Sequence, residues 1–236
     1  MQNKNIVEFQ VYGKYALFSD PVTRVGGEKC SYQIPTYQAL KGILESVYWK
    51  PTFIWVIDKM RVMKPIRTQS KGIRPIKMNG GNDLSIYTYL FDVCYQVSAH
   101  FEWNKNRGEL ENDRNENKHW DIAKRSIALG GRRDIFLGTR ECQGYVEPIK
   151  FGDGGGEYDK LDELSFGVML HSLSYPDEGE PNKFETLLWQ PKMEYGIVNF
   201  IHPENCTIRR NLGEREFKAF AFGENLLSVD EEVSIV

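Results

Sequence analysis

The chain has 236 residues, of which 41% are hydrophobic and 27% are charged, and its formal net charge is −3. This composition is typical of a globular protein with one large domain or two small ones. The slightly acidic balance argues, for the chain as a whole, against a protein that binds nucleic acid through its net charge.

No run of residues is long and apolar enough to span a bilayer, and the start of the chain, MQNKNIVEFQ, lacks the apolar region of a signal peptide. We therefore expect a cytoplasmic protein without a membrane partner. The cysteines Cys30, Cys94, Cys142 and Cys206 are widely separated, and none forms a CxxC pair. Reduced thiols are expected rather than a zinc site or a disulfide framework.

The first elements are a strand and a helix. Residues 6–18 (IVEFQVYGKYALF) predict a strand that ends at Asp20 and Pro21. A helix follows, with Thr36 as its N-cap and Lys50-Pro51 as its end. Its apolar stripe consists of Tyr37, Leu40, Leu44, Val47 and Tyr48.

Two further strands enclose a basic segment. Residues 53–63 predict one strand, and residues 87–103, apolar at every odd position, predict a long one with one buried face. Residues 59–77 contain seven basic residues and no acidic one, and the glycine-rich stretch 79–83 follows them. This pattern predicts a long hairpin whose tip is either a phosphate-binding surface or a solvated basic loop.

A second helix and a short strand complete the first part. Residues 104–118 are almost wholly polar; they precede a helix predicted from about Trp120 to Leu129 and a strand at residues 134–138. The order β-α-β-β-α-β is that of a ferredoxin-like fold, which RNA-binding RRM domains also adopt. The sequence of the RRM signature itself is not matched.

The rest of the chain is glycine-rich and predicts mainly strands, in YVEPIKF, LSFGVMLHSL, KFETLLWQPKMEYGIVNF, CTIRR and REFKAFAF. Residues 158–164 are the best remaining candidate for a helix. GDGGGEYD at 152–159 predicts a flexible turn or linker and lacks the pattern of a P-loop. We therefore predict an α+β protein with a ferredoxin-like domain at 1–139 and a β-rich domain at 140–236.

Two stretches resemble a known family: FQVYGKYALFSDPVTRVGGEKCSYQIPTYQALKGILESVYWKPTFIWVI and GGRRDIFLGTRECQGYV. They are similar to the five-family CRISPR-associated proteins of the type I-C (Dvulg) subtype. The resemblance implies a ferredoxin-like domain joined to a β-sheet region. It also implies an endoribonuclease that cuts precursor CRISPR RNA within the repeat and stays bound in the interference complex.

The resemblance further implies a catalytic trio of Tyr48, Lys118 and His119. The residue types suit metal-free RNA cleavage, in which the 2′-hydroxyl attacks the phosphate and leaves a 2′,3′-cyclic phosphate and a 5′-hydroxyl. A histidine can act as acid or base, a lysine can stabilise the transition-state charge, and a tyrosine can hydrogen-bond or stack on the RNA. No metal or other cofactor is expected.

The expected partners are the stem-loop of the CRISPR repeat RNA and the other subunits of the type I-C complex, and DNA binding is allowed for. Two alternatives remain open, a non-catalytic subunit that binds the RNA handle and a metal-dependent DNase side activity. The residues that we predict to contact RNA are Lys64, Arg67, Lys71, Arg74, Arg132 and Arg133.

Overall fold

The computed structural model describes residues 5–216, which form two α-helices, three short 3₁₀ helices and twelve strands. The helices are α1 (Tyr37–Val47) and α2 (Glu116–Ala128). The strands are β1 (Val7–Ala16), β2 (Phe53–Val62), β3 (Thr68–Ile73), β4 (Ser85–Trp103), β5 (Ile135–Phe136), β6 (Gln143–Pro148), β7 (Glu163–Ser165), β8 (Met169–Ser174), β9 (Lys183–Trp189), β10 (Lys192–Glu194), β11 (Ile197–Asn199) and β12 (Ile208–Glu214).

The strands form one large and one small sheet. The nine-stranded sheet has the order β5-β6-β1-β4-β2-β11-β10-β7, with β3 paired to β4, and the three-stranded sheet has the order β12-β9-β8. Every strand pair is antiparallel. The large sheet takes strands from both sides of residue 139, and the protein is a sheet-rich α+β protein.

The long strand β4 organises the large sheet. It pairs with β1 along one edge and with β2 and then β3 along the other. Asp92, in the left-handed region at φ 57°, lies between the residues of β4 that pair with β2 and those that pair with β3. The predicted single buried face is wrong for the middle of β4, because residues 93–100 are buried on both faces.

The two helices begin at side-chain caps. Thr36 accepts a hydrogen bond from the backbone N–H of Ala39, as predicted, and the apolar stripe of α1 is buried. Asn115 accepts a hydrogen bond from the backbone N–H of Lys118, so that α2 begins at Glu116. The predicted start near Trp120 is therefore four residues late, and the pair Lys118-His119 lies in the first turn of α2.

The glycine-rich segment 152–159 is bound to the large sheet through Arg61 of β2. The buried Arg61 guanidinium donates to the Asp159 carboxylate, from Nη2 to Oδ2 at 2.6 Å and from Nε to Oδ1 at 3.1 Å, and to the carbonyl of Gly154 at 3.0 Å. A Cβ on Gly156 would lie 2.8 Å from Asp159 Oδ1, so the close approach needs glycine. The segment is thus a turn, one of the two predicted alternatives, and these hydrogen bonds hold it against the sheet.

The second half of the chain contains the predicted strands but not the predicted helix. The expected strands are present up to β12, but the expected helix at 158–164 is wrong, since turns there lead into β7. Most of REFKAFAF lies outside the described residues.

Within residues 5–216, no helix is both long and apolar enough to cross a membrane. The four cysteines are free thiols.

Replacing Asp159 with Ala should lower the free energy of unfolding by about 1–3 kcal/mol, because the buried Arg61 charge would lose its carboxylate partner. The hydrogen bond from Arg61 lowers the pKa of Asp159 in the folded protein. The contribution should therefore be complete at neutral pH and disappear as the pH falls below about 3.9, the ordinary value for aspartate. Urea unfolding of both proteins at pH 7 and pH 3 measures this. The exposed Asp162→Ala is the matched control, and an equal effect of both substitutions would contradict the argument.

Candidate active site

The end of α1 and the first turn of α2 meet at a hydrogen bond between two predicted site residues. Tyr48 follows α1 in an extended conformation, and its Oη lies 2.7 Å from Nδ1 of His119. The relative exposures of Tyr48 and His119 are 1% and 0%. The structure therefore brings these two side chains together and shields both from solvent.

Aromatic side chains enclose the His119 ring. The rings of Phe53 and Trp103 lie edge-on to it, with centroid distances of 5.2 and 5.8 Å, and Phe101 lies at 6.2 Å. Edge-to-face contacts of this kind favour one ring orientation. The imidazole is thus held by packing as well as by its hydrogen bonds.

The hydrogen bonds of His119 define its neutral tautomer. Nε2 lies 2.8 Å from the backbone carbonyl oxygen of Asp113. Because a carbonyl can only accept, Nε2 carries a hydrogen and donates it. In the neutral ring, Nδ1 is then unprotonated and accepts the hydroxyl proton of Tyr48.

Lys118 is held beside this pair by an ion pair. Its side chain is half exposed, and Nζ lies 2.5 Å from Oδ1 of Asp113. Oδ2 of the same carboxylate accepts from the hydroxyl of Thr52 at 2.8 Å and lies 3.4 Å from Nε2 of His119. The hydrogen bond from Lys118 is the largest cause of a lowered pKa at Asp113.

Arg132 supplies a second cation at the site. Its guanidinium lies 5.1 Å from the ring centroid of Tyr48, and Arg132 is exposed. Backbone hydrogen bonds from Arg132 to Val47 and from Arg133 to Ser46 fix the segment after α2 against the end of α1. Burial raises the pKa of Tyr48, and the nearby charge of Arg132 opposes that rise.

The six predicted RNA-contacting residues fall into two groups. Arg132 and Arg133 flank the Tyr48–His119 pair, and the other four lie on or beside β3. In that second group, Lys64 and Arg67 share the carboxylate of Asp92, and Lys71 lies over the ring of Tyr15 at 3.2 Å. Arg74 is exposed.

Sequence reasoning missed Asp113 and Thr52. Asp113 is one of several acidic residues in the polar segment before α2, and nothing in its spacing separates it from Glu109 or Glu111. Thr52 follows a proline in a connection that carried no signal of its own.

A large cleft of about 420 Å³ lies between α1 and the small sheet, and none of the predicted trio lines it. Among residues 5–216, no cluster of three His, Cys, Asp or Glu side chains could hold a metal ion.

Comparisons with known proteins give the family. Residues 6–201 match the family model described as CRISPR-associated protein (Cas_Cas5). The chain is 30% identical to a protein of Mannheimia succiniciproducens named CRISPR pre-crRNA endoribonuclease Cas5d, over 78% of this chain and 92% of that protein. A protein of the same name from Thermus thermophilus is 28% identical over 74% of this chain and 76% of its own length.

Two solved structures share the fold. One is described as the crystal structure of a CRISPR-associated protein, with a TM-score of 0.75, 35% identity, and coverage of 87% of this chain and 96% of that one. The other is a functionally uncharacterised protein, SMU1763c of Streptococcus mutans, with a TM-score of 0.69, 36% identity and the same coverage. The chain belongs to the Cas5 family of CRISPR-associated proteins, as a Cas5d-type member.

The adjacent residues Lys118 and His119 should differ sharply in their effect on stability. Replacing His119 with Ala should cost about 2–4 kcal/mol of unfolding free energy, because it opens a cavity and leaves the buried Tyr48 hydroxyl without its partner. Replacing Lys118 with Ala should cost about 1 kcal/mol or less, because its ion pair is half exposed. Urea unfolding of the two variants and the parent chain checks this, and equal losses would be inconsistent with the burial described.

Proposed function

We propose that the protein is a metal-independent endoribonuclease that cleaves precursor CRISPR RNA within the repeat. The observation that carries the proposal is the 2.7 Å hydrogen bond between Tyr48 and His119, with the cations of Lys118 and Arg132 beside it. The names of the two relatives, each a CRISPR pre-crRNA endoribonuclease, support the same reaction. Tyr48, Lys118 and His119 are the residues to which we assign catalysis.

In the proposed reaction, the Tyr48–His119 pair takes one proton from the 2′-hydroxyl and later gives one proton to the departing 5′-oxygen. As the 2′-oxygen attacks phosphorus, its proton passes to Tyr48 Oη while the phenol proton passes to Nδ1 of His119. The bond between phosphorus and the 5′-oxygen then breaks, and the same route returns one proton to the departing oxygen. The products are a 2′,3′-cyclic phosphate and a 5′-hydroxyl, and the enzyme ends in its starting state.

The cations have a separate part in the proposal. The phosphorane-like transition state carries more negative charge at the phosphate oxygens than the substrate does. An ammonium and a guanidinium that are already in place stabilise this charge without the cost of reorienting solvent. Both cations reach solvent, whereas Tyr48 and His119 are buried, so the proposed reaction requires RNA binding to expose the Tyr48–His119 pair.

The burial of both rings favours one alternative, a subunit that binds the RNA handle without cutting it. In that case the Tyr48–His119 bond would serve to join α1 to α2, and Arg132, Arg133 and the basic residues around β3 would hold the RNA. The two functions differ in whether purified protein cuts repeat RNA. The handle-binding function requires no motion at the buried pair.

The finer features of the fold also belong to the proposal. The order β6-β1-β4-β2, with α1 and α2 in the connections, supports a ferredoxin-like arrangement. We keep the division at 1–139 and 140–236 as a proposal, with β6 of the second part completing the ferredoxin-like sheet. A cytoplasmic location and retention of the cleaved RNA within the type I-C interference complex also belong to it. DNA binding and a DNase side activity have no further support in the described residues.

A single 2′-deoxy substitution at the nucleotide 5′ of the cut should abolish cleavage, because it removes the attacking hydroxyl. Excess EDTA should leave the rate on the all-RNA repeat unchanged, since no metal enters the proposed reaction. Single-turnover assays on both substrates, with products separated by gel and tested for the cyclic phosphate, measure this. Cleavage of the deoxy substrate would show that water attacks and would overturn the proposal, whereas RNA binding with no cutting of either substrate would establish the handle-binding subunit.

The basic residues around β3 should contribute unequally to RNA binding. Neutralising Lys71 and Arg74 together to Gln should reduce the slope of log K against log salt by about 0.7 units for each phosphate that the variant no longer neutralises. Neutralising Lys64 and Arg67 should change the slope less, because Asp92 already balances part of their charge. Binding titrations at several salt concentrations compare the two double variants. A larger effect of the second variant would place the phosphate-binding residues beside Asp92 instead.

A further inference from the structure

We propose that Asp113 is a positioning residue of this active site, which holds both Lys118 and His119 in their working geometry. The inference rests on the proposed function and adds a residue to it. Asp113 ends the 3₁₀ turn Gly108–Asp113, two residues before the N-cap of α2. It makes polar contacts to the side chains of both Lys118 and His119.

Each of the three oxygens of Asp113 has a different partner. The backbone carbonyl accepts from Nε2 of His119, Oδ1 accepts from Nζ of Lys118, and Oδ2 accepts from the hydroxyl of Thr52. Thr52 is buried, and its hydrogen bond therefore fixes the carboxylate to a rigid part of the fold just before β2. The Asp113 side chain is thus fixed by Thr52 and contacts the charged Lys118 and the ionisable His119.

The contact to His119 determines which ring nitrogen can accept a proton. With Nε2–H donated to Asp113, only Nδ1 of the neutral ring can take a proton, and Nδ1 faces Tyr48. A carboxylate 3.4 Å from Nε2 also stabilises the imidazolium that forms when Nδ1 accepts the phenol proton. Charge balance by a carboxylate beside a histidine is also part of catalytic triads. Here the backbone carbonyl of Asp113 orients the ring, and the carboxylate balances the charge.

The contact to Lys118 gives the ammonium a fixed position. A lysine side chain is long and flexible, and an unrestrained ammonium must be ordered at the moment of reaction. Asp113 binds Nζ and also contacts Nε2 of His119, so that the cation has a fixed position before RNA arrives. The same carboxylate therefore serves the proton-transferring pair and the charge-stabilising group.

Four charged or ionisable side chains surround the His119 ring and its partner. They are Tyr48 from the end of α1, Asp113 from the 3₁₀ turn, Lys118 from α2 and Arg132 from the segment after α2. Of these four, Asp113 alone carries a negative charge. Its carboxylate is therefore the group that balances the charge added when Nδ1 of His119 takes the phenol proton.

The test compares three variants of the full chain with a matched control, using single-turnover cleavage of repeat RNA. Asp113→Asn keeps the size of the side chain but removes its charge and one of its two acceptor oxygens, and it should reduce the rate tenfold or more. Thr52→Val removes the hydrogen bond that holds the Asp113 carboxylate but keeps its charge, and it should reduce the rate less than Asp113→Asn does. Asp113→Glu should recover part of the rate that Asp113→Asn loses. The control is Glu111→Gln in the same turn, which removes the same charge at a residue that pairs with Arg114 instead.

Two further measurements separate positioning from a general structural effect. RNA affinity should stay within about threefold and the melting temperature within a few degrees for Asp113→Asn, since the side chain is partly exposed and Asn can still bond to Thr52. Partial rescue of the rate by Asp113→Glu, at unchanged affinity and stability, is the readout specific to the carboxylate. A merely structural role would instead lower affinity or stability together with the rate.

The outcomes are distinct. Asp113→Asn with a reduced rate and near-normal binding, partly rescued by Asp113→Glu, supports the inference. Cleavage as fast as the parent chain, or faster, would show that the carboxylate is dispensable or only blocks the site, and would overturn the inference while leaving the proposed function intact. A parent chain that binds repeat RNA and never cuts it would overturn both.

Discussion

The pairing of β4 with its neighbours is the constraint on which the rest of the molecule depends. β4 lies between β1 and β2 and is antiparallel to both, which makes β1 and β2 parallel to each other. Strands in that relation need a crossover, and α1 provides it. α1 lies against β2 and α2 against β1, and the end of one helix comes within hydrogen-bonding distance of the start of the other. The candidate active site is a consequence of that single arrangement.

The site itself depends on a balance between burial and charge. Aromatic packing gives His119 a fixed orientation, and removal from water strengthens each of its hydrogen bonds. In the proposed reaction the same burial requires an opening step, which involves the groups at the boundary with solvent. Those groups are Asp113, Lys118 and Arg132, an anion and two cations. Because Arg132 has no carboxylate partner among the described residues, its charge is the one most open to an arriving phosphate.

Local patterns in the sequence predicted the first part of the fold well, and tertiary facts account for what they missed. The apolar stripe after Thr36 and the alternation along β4 are strong periodic signals, and both elements are present. The start of α2 was misplaced because its cap, Asn115, lies in a run where nearly every residue is polar. The burial of His119 could not be predicted, because a histidine beside such a run has no local mark of the aromatic rings that surround it. Asp113 was missed for the related reason that its partners, Thr52 apart, follow it in a segment without apolar periodicity.

The pairing of β2 with β11 has a consequence for synthesis of the protein. Lys59, Met60 and Arg61 pair with residues 197–199, and Arg61 also needs Asp159 as its partner. At about 5–20 residues per second, a ribosome adds β11 on the order of ten seconds after β2. During that interval the nascent chain carries an open strand edge and an uncompensated arginine that the finished protein buries. Such an edge is a template for association with other chains, which makes a newly made N-terminal half a natural client for chaperones.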